Sequence, residues 1–252
     1  MQPVLDVLNS SVTSTMRAWR GTSAKPARRQ PKQMLELYEF ESCPYCRLVR
    51  EALTELDVDA MIYPCPPGGD RYRKQVRELG GRVQLPFLVD HNTGKKLYES
   101  DAIIQYLYKT YGQRRQPLGL RELAVAGSIS ASLVRGKQTA RPARQPEKPL
   151  VLYSFESSPF ARRVRERLCE LELPYELRNT GKAMWRDMGP PQIRSALFPG
   201  LAVKGRNRKA LLERTGKVQV PYLIDPNTGV EMYESADINR YLEHTYGQKN
   251  KK

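Results

Sequence analysis

Histidine and tryptophan are scarce in this chain of 252 residues, two of each, and cysteine occurs only four times. The first scarcity weighs against a zinc centre, because Cys65, Cys169, His91 and His244 show no paired spacing to complete a site begun by the other two cysteines. Four cysteines in a chain of this length also argue against a secreted disulfide scaffold. They point to a reducing, cytoplasmic setting, with a membrane-associated or organellar one as the alternative. Long hydrophobic runs are missing too. Leu123 to Val134, the longest candidate, is interrupted by Gly127 and several serines, and nothing reaches the roughly 18 apolar residues of a spanning helix. Acidic side chains are outnumbered, 27 Asp and Glu against 42 Lys and Arg, for a net charge of +15.

That charge is unevenly placed. Residues 1–33 carry six basic side chains against one acid, residues 113–148 carry eight against two, and Lys249, Lys251 and Lys252 end the sequence. The blocks between them are close to neutral, so the basicity lives in connecting segments. Flexible, solvated linkers are its plain use. An anionic membrane surface is the other partner such segments suit, and nucleic acid is a weaker fit.

What the chain does have is Cys43-Pro44-Tyr45-Cys46. Before it, Leu35 to Phe40 alternates like a short strand; after it, Val49, Ala52, Leu53 and Leu56 fall at helical spacing. The two cysteines therefore sit where a strand turns into a helix. Unpaired backbone N–H groups and the positive end of the helix dipole favour a thiolate there. Pro44 suits the first helical turn and Arg47 adds a positive charge nearby. A Cys-x-x-Cys at such a junction reads as a thiol–disulfide site. Half of a zinc site and a pair of packing cysteines remain as alternatives.

The sequence also repeats itself. Leu37-Tyr38-Glu39-Phe40 returns as Leu152-Tyr153-Ser154-Phe155, a shift of 115 positions. Val83 to Asp90, Asn92-Thr93-Gly94, Tyr98-Glu99-Ser100 and Thr110-Tyr111-Gly112 return at a shift of 135, so the second copy holds 20 extra residues between about 177 and 216. Five segments result: an amphipathic helix and basic arm at 1–33, a first domain at 34–112, a helix and basic linker at 113–148, a second domain at 149–247, and a basic tail at 248–252. The arm resembles a transit peptide, but a similar stretch precedes the second copy, which favours a structural segment. Its stripe Leu5, Leu8, Val12, Met16 and Trp19 suits packing on its own domain, or a membrane surface. Within each copy the predicted order is strand, helix, strand, helix, strand, strand, helix, an α/β pattern opened by a βαβ unit.

Together these motifs resemble the thioredoxin fold of glutaredoxins and of glutathione transferases. Cys-Pro-Tyr-Cys is similar to the dithiol glutaredoxin motif, whereas Tyr-Glu-Ser before the last helix resembles the N-terminal domain of glutathione transferases. The chain looks like two tandem thioredoxin-like (βαβαββα) domains, and the resemblance covers 34–112 and 149–247. It implies glutathione as co-substrate, and cis peptides before Pro86 and Pro221. It further implies that the backbone of Leu85 and Val220 holds the cysteinyl part of glutathione, with Tyr45 nearby. Glu99-Ser100 and Glu234-Ser235 would receive its γ-glutamyl end. Ser100 and Ser235 open helices whose free N–H groups attract a carboxylate, and a plain N-cap is their other use.

Two departures complicate the resemblance. In the second copy Cys43 becomes Ser158 and Cys46 becomes Ala161, so that site is either serine-type, its hydroxyl stabilising glutathione's thiolate, or degenerate. Full-length transferases also follow this domain with an all-helical one, and neither copy here is so followed. The expectation is an oxidoreductase in which Cys43, exposed at the helix start, attacks the disulfide of a protein or of glutathione, and the more buried Cys46 resolves it. Conjugation of a small electrophile, and redox-responsive binding without turnover, are the alternatives. Cys65 is expected as a loop cysteine or a third redox thiol, and Cys169 as a packing residue.

Overall fold

The computed structural model describes residues 21–116, 139–183 and 203–248. The stripe from Leu5 to Trp19, the linker helix, most of the insertion with Trp185 and Met188, and the last lysines lie outside the described residues.

The first repeat runs β1 (Leu35–Glu39), α1 (Pro44–Glu55), β2 (Ala60–Pro64), α2 (Arg71–Gly80), β3 (Phe87–Asp90), β4 (Lys95–Tyr98) and α3 (Ser100–Leu107), which a π-helical turn extends through Tyr108–Gly112. The second runs β5 (Leu150–Ser154), α4 (Pro159–Glu170), β6 (Tyr175–Asn179), α5 (Arg206–Thr215), β7 (Tyr222–Asp225), β8 (Val230–Tyr233) and α6 (Ser235–Tyr246). This is the thioredoxin-like fold twice over. The described residues contain no all-helical domain, and none of their helices is long and apolar enough to cross a membrane.

The two repeats share one eight-stranded sheet, in the order β4-β3-β1-β2-β6-β5-β7-β8. They join through β2 and β6, antiparallel, with Ala60 opposite Leu177, Met61 opposite Glu176 and Ile62 opposite Tyr175. Met61 and Glu176 are themselves equivalent at the shift of 115, so a pseudo-two-fold axis passes between them. Each repeat thereby covers the other's exposed strand edge, a surface otherwise open to unwanted pairing. One hydrophobic cluster spans both halves, running from Leu37, Val49 and Leu53 through Ile62 to Leu152, Val164 and Leu177.

The basic connecting segments are not free linkers where they are described. Residues 21–33 start on the second repeat, where Ala24 N–H donates to Lys182 O at 2.9 Å, and then lie along the first. There Lys25, Ala27 and Arg29 donate to Glu55 O, Leu56 O and Tyr111 O. The second segment mirrors this path: Ala140 donates to Pro67 O in the first repeat, then Arg141 and Arg144 donate to Glu170 O and Tyr246 O. These backbone hydrogen bonds to the folded repeats hold the segments against them despite their charge.

Charges also line the junction under the sheet's centre. Arg50 Nε donates to Glu156 Oε2 at 2.9 Å, and Arg165 Nη2 donates to Glu41 Oε1 at 2.9 Å, the same contact repeated about the pseudo-axis. Arg50 also contacts Glu39 and Glu41, and all five side chains are nearly inaccessible. A buried charge is tolerated only when it is paired and hydrogen-bonded, and this cluster meets that condition.

Candidate active site

The register of each repeat gathers its site residues at one end of the sheet. Tyr38 on β1 lies opposite Phe87 on β3, which lies opposite Tyr98 on β4. Chain leaving β1 toward Cys43, chain reaching β3 through Leu85-Pro86, and chain leaving β4 through Glu99-Ser100 therefore meet at that end. Tyr153, Tyr222 and Tyr233 align in the same way, bringing together Ser158, Val220-Pro221 and Glu234-Ser235. The Leu85–Pro86 and Val220–Pro221 peptides are both cis.

Cys43 is the N-cap of α1. Its extended backbone (φ −72°, ψ 122°) turns the sulfur onto the helix, where Cys46 N–H donates to Sγ at 3.3 Å. Pro44 takes the first helical position, where a missing N–H costs nothing. A hydrogen bond from the Cys46 thiol, backbone N–H groups of Cys46 and Tyr45, and the charge of Arg50 outweigh burial and draw the Cys43 thiol down to about 7. Cys46 moves the other way. Burial, its hydrogen bond to Cys43 and the neighbouring charges push its thiol well above the ordinary range.

One expectation about this turn needs correction. Cys43 is not exposed: it is 5% accessible, against 0% for Cys46, because its side chain folds back as the cap. Tyr45 is the open residue, at 47%. Among the charges around the turn, Arg50, one turn further along α1, helps to draw the Cys43 thiol down, and Arg47 Nε donates to Glu51 at 3.2 Å.

Glu99 and Glu234 adopt φ of 65° and 68°, a region that non-glycine residues avoid and that tends to be retained at functional sites. They, and not Ser100 and Ser235, occupy the cap position, and the serines are the first residues of α3 and α6. Both carboxylates accept from the glutamine two residues before the cis proline. Gln219 Nε2 donates to Glu234 Oε1 at 2.7 Å, and Gln84 makes the same contact with Glu99.

The second site copies the first without sulfur. Ser158 caps α4, and Ala161 N–H donates to its Oγ at 3.3 Å. Next to it, Ser157 is held by the N-terminal segment: its N–H donates to Gly21 O, and its hydroxyl meets that of Thr22. Cys65 lies apart, in an aromatic cluster with Tyr38, Tyr72 and Phe87, and burial raises its thiol far above the reactive range. Cys169 packs at the junction, where Glu41 N–H donates to its sulfur at 3.5 Å. His91 pairs with Glu36 on the surface, and His244 lies in the last turn of α6.

A strand-to-helix turn capped by Cys or Ser, beside a cis proline, defines a protein of the thioredoxin-fold class. The chain belongs to the family of the glutathione S-transferase N-terminal domain, whose profile matches residues 37–115 and again 152–250. Among solved structures, a glutathione transferase of Bombyx mori is 27% identical over 38% of this chain and 45% of its own, with a TM-score of 0.30. A delta-class glutathione transferase of Nilaparvata lugens is 26% identical over 32% and 37%, with a TM-score of 0.26. A trimeric glutathione transferase of Leishmania aligns over 86% of this chain and 68% of its own at 15% identity, with a TM-score of 0.27. This chain spans less than half the length of the two insect transferases. No curated protein sequence matches it.

Proposed function

We propose that this chain is a glutathione-dependent thiol–disulfide oxidoreductase working through Cys43 and Cys46. The observation that carries the reading is a pair of free thiols one helical turn apart, Cys43 capping α1 and accepting from Cys46 N–H at 3.3 Å, with Cys46 fully buried behind it; the first thiol is drawn down to about 7 and the second pushed well up. A thiol whose value lies near ambient pH is about half ionised yet keeps its nucleophilicity, the optimum for attacking a disulfide. Cys43 Sγ would attack one sulfur of a glutathionyl or protein disulfide and expel the other as a thiolate. Cys46 would then close on Cys43 and release the bound partner.

Glutathione fits the gathered end of the sheet. The Leu85 backbone before Pro86 suits its cysteinyl amide, and the first N–H groups of α3 at Ser100 suit a carboxylate. Glu99 suits its ammonium, and half-exposed Tyr45 flanks the sulfurs. Val220, Pro221, Glu234 and Ser235 make the same cradle in the second repeat. There Ser158, held as Cys43 is, favours a serine-type site in which the hydroxyl donates to glutathione's sulfur.

Cys43→Ser is expected to abolish glutathione-dependent reduction of both glutathionylated and protein disulfides. Cys46→Ser should keep the first activity and lose most of the second. Reduction that survives intact in Cys43→Ser sinks the proposal. A conjugating activity lost in Ser158→Ala would instead show the transferase chemistry of the second site.

A further inference from the structure

Each strand-to-helix turn is closed by a backbone hydrogen bond, from Cys43 N–H to Phe40 O at 3.0 Å in the first repeat and from Ser158 N–H to Phe155 O at 3.1 Å in the second. Glu41 and Glu156, both buried, follow the phenylalanines and start the bend of their turns. Much of what holds Glu41 comes from the other repeat. Its carboxylate takes a fork of two hydrogen bonds from Arg165 on α4, Nη2 to Oε1 at 2.9 Å and Nε to Oε2 at 3.1 Å. Its backbone N–H donates to Cys169 Sγ, also on α4, at 3.5 Å. From within the first repeat, Arg50 Nη2 donates to the Glu41 carbonyl at 3.1 Å and stands 3.2 Å from Oε2.

The second turn is built from the same parts with the repeats exchanged. Arg50 Nε and Nη2 donate to the Glu156 carboxylate at 2.9 and 3.3 Å, Glu156 N–H donates to Thr54 Oγ1 at 3.3 Å, and Arg165 Nη2 donates to Glu156 O at 3.1 Å. Each arginine thus grips the carbonyl of its own turn and the carboxylate of the other. Thr54 and Cys169 are equivalent at the shift of 115, and each gives the opposite turn an acceptor for its N–H. The second repeat has no dithiol, yet its α4 carries both groups that reach across to the turn holding one.

We propose that Arg165 and Cys169 are positioning residues for Cys43, so that the dithiol site is completed by the repeat without a dithiol. This rests on the dithiol reading above. The two residues act through Glu41. By fixing it they fix the turn that delivers Cys43 to the cap of α1, with Sγ turned onto the Cys46 N–H. A forked guanidinium–carboxylate pair sets direction as well as distance. Here both partners are nearly inaccessible, Arg165 at 1% and Glu41 at 2%. Against burial, which would raise it, the charges of Arg165 and Arg50 hold the Glu41 carboxyl below its ordinary range, so the pair stays ionised. Precision at this turn matters because a reacting group misplaced by about 1 Å can lose about a hundredfold in rate.

The test mixes the reduced full-length chain with oxidised glutathione at about pH 7, where the Cys43 thiolate attacks one sulfur and the other leaves as glutathione thiolate. Mass analysis after an acid quench gives the rate constant and amplitude for loss of the reduced protein, and a parallel series gives the pH midpoint of Cys43 alkylation. Cys169→Val, which has the shape of threonine without its oxygen, should slow the reaction at least about tenfold. It should also move the alkylation midpoint upward from about 7, because the N–H groups that favour the thiolate lose their alignment. Cys169→Thr, which copies Thr54, should recover most of both losses. Arg165→Lys, which keeps the charge but gives up the fork, should slow the reaction, and Arg165→Met should slow it further. If the arginine variants do not fold, the valine and threonine variants decide alone. A merely structural role would lower the amplitude and leave the rate constant and midpoint at their wild-type values, and that result overturns the proposal. So does Cys169→Thr reacting no faster than Cys169→Val. Failure of the wild type to react at Cys43 overturns the dithiol reading itself, and this inference with it.

Discussion

Arg50 shows how much a single side chain can hold. It is 1% exposed, contacts Glu39, donates to Glu156 at 2.9 Å and to the Glu41 carbonyl at 3.1 Å, and its charge helps to draw the Cys43 thiol down. Removing one partner from a buried ion cluster leaves uncompensated charge and costs about 3–5 kcal/mol. Arg50→Ala is therefore expected to lower the urea midpoint by that equivalent and to move the pH dependence of Cys43 alkylation upward. An alkylation profile unchanged in a folded Arg50→Ala protein would remove Arg50 from the thiol's environment. The sequence made the cysteines legible but not the part Arg50 plays beside them. Adjacency suggested Arg47, and nothing in a linear reading shows that Arg50's partner Glu156 lies 106 positions away. The burial of Cys43 was hidden for a related reason, since capping by its own sulfur depends on the backbone angle at the turn.

At the scale of elements, the hairpins and the helices that follow them are locked by two buried aspartates. Asp90 ends β3 and accepts from Tyr106 Oη at 2.6 Å, from Tyr111, and from Asn92 N–H at 2.8 Å; Asp225 repeats the pattern with Tyr241, Tyr246 and Asn227. The asparagines then hold the connecting segments. Asn92 accepts from Gln33 N–H and donates to Gln33 O, both at 2.8 Å, and Asn227 does the same with Lys148. These hydrogen bonds hold both aspartates below the usual 3.8 despite burial. A carboxyl whose value is depressed by folding contributes stability above its unfolded value, and that contribution is lost as pH falls through the folded one. Asp90→Asn should thus cost about 1–3 kcal/mol at pH 7 by leaving the buried Tyr111 phenol and the partly buried Tyr106 phenol poorly paired, with the difference from wild type shrinking below about pH 4. Urea melts at pH 7 and pH 3 measure this, and an equal loss at both would contradict it. Strand and helix positions were readable from period and turn residues such as Asn92-Thr93-Gly94. The flat course of the basic segments was not, because backbone hydrogen bonds leave no trace in composition.

For the whole molecule, the decisive fact is that the two repeats are not beads on a string. Their sheet is continuous through β2 and β6, each connecting segment begins on one repeat and finishes on the other, and the buried arginines and glutamates pair across the junction. None of this was legible in the sequence. Ala60 to Pro64 and Tyr175 to Asn179 bury alternate residues as any half-exposed strand does, and the charges of α1 and α4 look like solvent faces when their partners are unknown. Unfolding either half alone would expose a strand edge and strand buried charges in the other, so the energetic penalty falls on both. The protein is therefore expected to melt in one transition, with calorimetric and van't Hoff enthalpies equal, although its length would allow two. Arg165→Ala, placed wholly in the second repeat, should lower the melting of both halves together, because its partner Glu41 belongs to the first. Tyrosine signals from the two repeats that separate into two steps would show the junction to be weaker than either repeat, and the first site would then owe little to its neighbour. A single step shifted as a whole would mean that the dithiol site is held by residues of both repeats, which ties the serine copy to the chemistry whether or not it binds glutathione itself.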